Sequence, residues 1–547
     1  MKLTAHLALF LFYIFCCISC IQKKQADLLI TNATIYTVDS NFTIVQAMVI
    51  NKGKIVATGS ETELKSKFIT GETIDAKGKF IYPGFIDAHC HFLAYGMGLN
   101  ECDLTGTTSW DNVIEKLILF EKTHKEGWLI GRGWDQNDWT DKTYPVNDTL
   151  NLLFPGRPVL LSRVDGHAAI ANNKALTLSG LNMLTNTPGG EIVKSGNKLT
   201  GILVDNAVGL VEKFIPKASI KQLTQGLLDA ESNCFAAGLT SVQDCGLDVS
   251  DVLLIDSLNK TNGLQMRMFA MLSDKQQNYN WAFSHGKIKT EKLHVSSFKL
   301  YADGALGSRG ACLLEPYSDM QKHRGFLLSN PAYYDSILPV IAAKGWQACT
   351  HAIGDSANRL ILKIYNKVLQ RQSDARWRIE HAQVINENDF DLFRDNAIIP
   401  SVQPTHATSD MYWAKDRLGD KRVKGAYAYQ QLLKQNGWLP LGTDFPVEKI
   451  NPLHTFYAAT VRKDASGIPG NGFQAENALT REQAIKGMTI WAAKAAFEEK
   501  EKGSIEAGKF ADFVMTDKDL MKIADNELLQ ANILMTVLGG KIVFERK

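Results

Sequence analysis

The sequence predicts an α/β fold: a (β/α)8 TIM-like barrel with a small β-sandwich domain built from both chain termini. Three observations carry this reading. The middle of the chain alternates apolar runs with helical stretches, the pattern of a parallel sheet. Eight such runs can be counted, the number with which this barrel closes. The two chain ends share a texture of short strands and tight turns that the middle lacks.

The first residues stand apart from the fold. Lys2 precedes an apolar run, Leu7 to Phe15, and then Ser19 and Cys20. One charge and a short apolar core read as a secretory signal over 1–19, of lipoprotein type, with Cys20 as the lipidated residue. Cys17, three positions before the cut, departs from the usual aliphatic residue of such signals. The expectation is an exported protein, anchored to the membrane by a lipid at Cys20 and facing the periplasm.

Short strands follow at 28–39, 47–59 and 79–84, and their counterparts lie at 503–517 and 537–546. They place the composite β domain at 26–80 plus 495–547, with the barrel at 81–494. The expected barrel strands are 80–91, 238–245, 266–272, 296–304, 346–355, 376–383, 397–404 and 438–447, with helical patterns such as 332–345 and 356–370 between them. No GxGxxG follows an early strand, which argues against a doubly wound open sheet. The stretch from about 92 to 235 is too long for one crossover and reads as an insertion covering the barrel mouth.

Of 547 residues, 60 are Lys or Arg and 58 Asp or Glu, a net charge of +2, so nothing suggests nucleic-acid binding, which needs a basic face. The hydrophobic share of 45% and charged share of 22% exclude a disordered or collagen-like chain. Beyond Cys20 the six cysteines, Cys90, Cys102, Cys234, Cys245, Cys312 and Cys349, show no CxxC spacing and read as small buried hydrophobes.

The chemistry is in the polar residues at the strand ends. His89 and His91 close the first strand, Lys299 lies in the fourth, His351 and His381 close the fifth and sixth, and Asp444 closes the eighth. In a barrel these ends converge on one mouth, where active sites are built. Alternation sends His89 and His91 to one face with Cys90 opposite, which makes a chelating pair. Singly, each residue has an ordinary structural reading. Together, four histidines and one carboxylate suit zinc or another divalent first-row metal.

With these residues the chain resembles the amidohydrolase superfamily, through Pro83-Gly84-Phe85-Ile86-Asp87-Ala88-His89-Cys90-His91, Thr350-His351-Ala352-Ile353-Gly354-Asp355, Ile379-Glu380-His381-Ala382 and Gly442-Thr443-Asp444-Phe445-Pro446. Lys299-Leu300-Tyr301-Ala302-Asp303-Gly304 is similar to the branch called amidohydrolase family 3, which includes N-substituted formamide deformylases. The resemblance implies one or two Zn2+ ions, with His89, His91 and Asp444 holding the more buried one and His351 and His381 a second. It also implies an N6-carboxylysine at Lys299 bridging the two, unless Lys299 is a hydrogen-bonding lysine in a one-metal site.

Metal-activated hydroxide would then attack a carbonyl, with Asp444 as general acid–base, and the result is hydrolysis of a C–N bond other than a peptide bond. His167, Trp134 and Asp303 are the expected substrate-binding residues, His167 for a carbonyl or oxyanion. The expected partner is a small amide-type molecule, and the sequence is compatible with a homo-oligomer. Alternatives are deacylation of an N-acyl amino acid, ester or lactone hydrolysis at the same site, or a lipoprotein that binds a solute or metal without turnover.

Overall fold

The computed structural model describes residues 23–370, 374–395 and 397–547, so the signal segment and Cys20 lie outside the described residues. Among the described residues no helix is long and apolar enough to cross a membrane.

Both chain ends meet in one six-stranded sheet, in the order Lys541–Glu545, Ile533–Leu538, Phe513–Thr516, Phe80–Pro83, Thr34–Tyr36 and Ile44–Val45. Its seam is antiparallel, with Tyr82 opposite Val514. A second sheet, Lys54–Gly59, Ala47–Asn51, Lys24–Thr31 and Phe68–Asp75, uses N-terminal chain alone. Leu28, Ile30 and Met48 of this sheet share one apolar cluster with Ile35, Phe513 and Val537 of the other.

The barrel is a nearly closed ring of seven regular parallel strands: Phe85–Cys90, Leu239–Leu247, Arg267–Ser273, Leu293–Tyr301, Gln347–Ala352, Arg378–His381 and Ile399–Ser401. The expected eighth strand at 438–447 is not a regular strand. Its backbone nevertheless spans the gap. Gly442 N donates to Val402 O on one side, and Ala88 N donates to Leu441 O and Asp444 N to His89 O on the other. Pro440 cannot donate, which breaks the ladder. At Gly442 a Cβ would stand 2.5 Å from His89 N, so only glycine lets the two backbones approach this closely. The expected first strand also divides, with Phe80–Pro83 serving the terminal sheet and Phe85–Cys90 the barrel.

Helices Pro331–Ala343 and Asp355–Leu369 fall where their periodicity placed them. Within the expected insertion, six strands between Cys102 and Asp205 form a separate sheet with apolar clusters around Leu161 and Ile170 and around Leu160 and Leu203. The helix Ile220–Ala236, started by a Ser219–Gln222 capping box, is part of the barrel wall. Its Leu227, Ala230 and Cys234 enter the main core, and it leads directly into the second barrel strand. All six described cysteines are free, and five of them are buried.

Candidate metal centre and active site

The ends of the barrel strands and one edge of the insertion enclose a cavity of about 1150 Å³. His89 lies behind the lining residues Lys299 and Asp444, with no exposure. Its Nδ1 is 2.5 Å from Glu380 Oε2, and Glu380 Oε1 is 2.6 Å from Arg378 Nε. A proton on Nδ1 given to this carboxylate leaves Nε2 bare and facing the site, the arrangement that orients a metal-binding imidazole. Burial pushes His89 down to about 4, so the ring is neutral. Burial works against the Glu380 charge, but Arg378 and His89 hold this carboxylate well below its usual range.

Asp444 faces His89 and His91. Its Oδ1 is 3.2 Å from His91 Nε2 and 3.5 Å from His89 Nε2, and no hydrogen bond satisfies this buried oxygen. Two ligands about 2.0–2.1 Å from one ion at a tetrahedral angle stand roughly 3.4 Å apart, so this spacing fits a shared metal. Burial opposes the Asp444 charge, but His89, His406 and His91 hold its carboxyl well below the usual range. His381 and Asp444 both have positive φ, 72° and 65°. This sparsely populated backbone conformation is stored at functional sites and aims side chains that a regular strand would not.

His381 meets His89 ring to ring, with centroids 4.8 Å apart, and its buried Nδ1 has no hydrogen-bond partner. It forms a second candidate metal-holding group with Asp444 and His406. His406, in the helix Pro404–Asp410 just past the seventh strand, is a residue that sequence reasoning missed. Its Nε2 is 3.2 Å from Asp444 Oδ2 and its Nδ1 3.2 Å from Glu448 Oε1. Glu380 was also missed as a functional residue, although it stands beside His381 in a quoted motif.

Lys299 is buried, lines the cavity and has Nζ 3.4 Å from His89 Nε2. His351 is also buried. Its ring is 4.6 Å from that of His381 and 5.0 Å from that of His167, while its Nε2 lies 3.5 Å from Gly304 O. The unsatisfied Asp444 Oδ1 and His381 Nδ1, together with the imidazoles of His89, His351 and His381 that burial keeps neutral, form a donor set that fits divalent metal.

Of the expected substrate-binding residues, His167 lines the cavity from the insertion. Trp134 does not. It is fully buried in the apolar core of the insertion, with its indole N–H donated to Leu161 O, so it packs the insertion and does not face substrate. Asp303 is also fully buried. It accepts from the backbone N–H groups of Cys312, Ile353 and Gly354 and thereby ties the loop after the fourth strand to the end of the fifth. Burial raises Asp303 to about 7.

A barrel whose strand ends gather histidines around a shared carboxylate defines the metal-dependent hydrolase class. The chain belongs to the amidohydrolase family: the family-3 amidohydrolase model, described as "Amidohydrolase family", matches residues 72–544. It is similar to the protein LONG AFTER FAR-RED 3 of Arabidopsis thaliana, 33% identical over 95% of this chain and 92% of that one. It is similar as well to the N-substituted formamide deformylase of Arthrobacter pascens, 26% identical over 96% and 99%. Among solved structures, an uncharacterized metal-dependent hydrolase from Pyrococcus horikoshii superposes with a TM-score of 0.75 at 27% identity, covering 91% of this chain and 99% of that one.

Proposed function

We propose that the protein hydrolyses the C–N bond of an N-formyl or N-acyl amine. The observation that carries this reading is Asp444, whose Oδ2 is held by His406 while Oδ1 stands unsatisfied among the imidazoles of His89 and His91. The likeness to a formamide deformylase supports an amide-type substrate.

One or two zinc ions are the proposed cofactor. His89, His91 and Asp444 would hold the first, and His351 and His381, with His406 at hand, the second. Lys299 as a carbamate would replace a positive charge between them with a bridging anion. Bound at this centre, such an ion lowers the pKa of water towards ~7 and polarises the acyl oxygen.

Asp444 takes a proton from the attacking water and delivers it to the leaving nitrogen. Hydroxide thus adds to the acyl carbon, and the C–N electron pair leaves with the nitrogen as a neutral amine. His167, which lines the cavity from the insertion, would face the acyl oxygen. Amine release from a panel of N-formyl and N-acyl amines by the zinc-loaded protein tests the reading. Turnover confined to esters or lactones would contradict it.

A further inference from the structure

Two arginines of the insertion line the cavity, and they are held differently. Arg163 is buried and gives its N–H groups to Asp135, Asp165 and Gln136, so its charge is balanced in place. Arg132 makes one hydrogen bond, from Nη2 to Val164 O at 3.1 Å, and, among the described residues, no ion pair. Its Nε is enclosed without an acceptor. A guanidinium has five N–H donors and stays charged in proteins, so most of the capacity of Arg132 is uncommitted.

Arg132 lies in the strand Leu129–Trp134, which pairs with Cys102–Asp103 on one side and Val159–Arg163 on the other. The ladder slips between Arg132 and Trp134, where Gly133 has a φ of 108°. Such irregularities re-aim side chains beside active sites. The guanidinium lies across the turn that carries His167: a Cβ on Gly166 would stand 3.7 Å from Nη2 and 3.8 Å from Nη1. His167 in turn meets His351 ring to ring at 5.0 Å. The Arg132 charge therefore stands on the insertion side of the cavity, beside the turn that reaches the strand-end centre.

The neighbouring carboxylates do not balance this charge. Asp165 is engaged by Arg163 and by His167 N. Glu101 and Glu212 feel Arg132 but form no ion pair with it, and burial pushes both of them up. For Arg132 itself burial outweighs the attraction of Asp444, Glu101, Asp165 and Glu212, and the net direction is downwards. Of the other cations that line the cavity, Lys299 belongs to the strand-end centre and Lys449 is exposed to water. An enclosed charge without a partner is costly, whereas the planar guanidinium fork matches the two oxygens of a carboxylate. The cavity, about 1150 Å³, exceeds the roughly 300–1,000 Å³ usual for small-molecule sites and has room for a substrate that extends well beyond its acyl group.

We propose that Arg132 is a specificity residue that binds a carboxylate carried by the substrate, so that the preferred amides are anionic. The proposal rests on the acyl-hydrolysis reading and deepens it by naming the charge of the substrate.

The test compares N-formyl and N-acyl amines that carry a carboxylate, on either side of the amide, with the same molecules as carboxamides, in the zinc-loaded full chain. Hydrogen bonds to a charged group correspond to a preference of about 10–100-fold in kcat/KM. The wild type should favour each carboxylate over its carboxamide by that factor on at least one side of the amide. Arg132→Gln should lose the preference, through a raised KM for the carboxylates more than a lowered kcat. Arg132→Lys keeps the charge without the fork and should retain part of it. Circular dichroism and bound metal check the folding of both variants, and the wild-type comparison needs neither. Equal or better turnover of every carboxamide by the wild type, or a carboxylate preference that survives in folded Arg132→Gln, would overturn the proposal while leaving the hydrolase reading intact. A wild type that turns over no amide of the panel would overturn both.

Discussion

His89 Nδ1 and Glu380 Oε2 stand 2.5 Å apart across 291 residues of sequence, and this contact fixes which nitrogen of the central histidine faces the site. Glu380→Gln can still meet the ring but cannot keep the charge that Arg378 balances on its far side. Loss of such a partner weakens metal affinity about 10–100-fold. Competition with a chromogenic chelator measures it, and an unchanged affinity would show that Glu380 serves only the fold.

Asp444→Asn keeps the size of the side chain and removes its basicity. Turnover should fall by about 10² or more, the usual contribution of a positioned proton carrier. Bound metal should fall less than in His89→Ala, because Asn still offers an oxygen. Near-normal turnover in Asp444→Asn would assign the proton to another residue, with His406 the nearest alternative at 3.2 Å from Oδ2.

Lys299→Ala tests the bridging role. The variant should lose most second-metal occupancy and activity, and small carboxylic acids added to the buffer should partly restore both by filling the vacated position. Metal stoichiometry with and without added acid is the measurement. One metal per chain in active wild type, or no loss in the variant, would end the two-metal bridge.

How much of this was legible beforehand depends on how local the signal was. The strands that end in His89, His351 and His381 announced themselves as apolar runs stopped by a histidine. The eighth segment did not, because its course is set by Pro440, by the approach of Gly442 to His89 N, and by the left-handed backbone of Asp444. These are properties of the closed ring and not of a window of sequence. His406 was missed because it lies in the helix opened by Pro404, two residues past the point where the apolar run stops. Its position immediately after the seventh strand was the available clue. Trp134 was misread because an aromatic in an insertion looks the same whether it lines a cavity or fills a core. Glu380 sat in a recognised motif, but its partner is distant in sequence.

Away from the site, Glu498 is buried with Lys502 Nζ 2.6 Å from Oε2 and Lys289 Nζ 2.7 Å from Oε1. Burial opposes its charge, but Lys502, His294 and Lys289 hold it well below the usual glutamate range. A carboxylate whose folded pKa is lowered contributes stability that is present above the unfolded value near ~4.3 and is lost as pH falls towards the folded one. Glu498→Gln leaves Lys502 buried without its counter-charge, so it should cost about 3–5 kcal/mol at neutral pH. Urea unfolding should show this gap narrowing below about pH 4. A gap that does not depend on pH would mean that packing, not charge, sets the loss.

The central claim is that clustered imidazoles and Asp444 make a metal-supported centre for C–N hydrolysis. Its most direct test is amine release from N-formyl and N-acyl amines, measured as zinc is returned stepwise to the chelator-stripped protein. The account predicts negligible release from the stripped protein and release that rises in proportion to zinc bound, up to the stoichiometry of the full site. Undiminished release from stripped protein, or a fully zinc-loaded protein that releases no amine from any member of the panel, would contradict it.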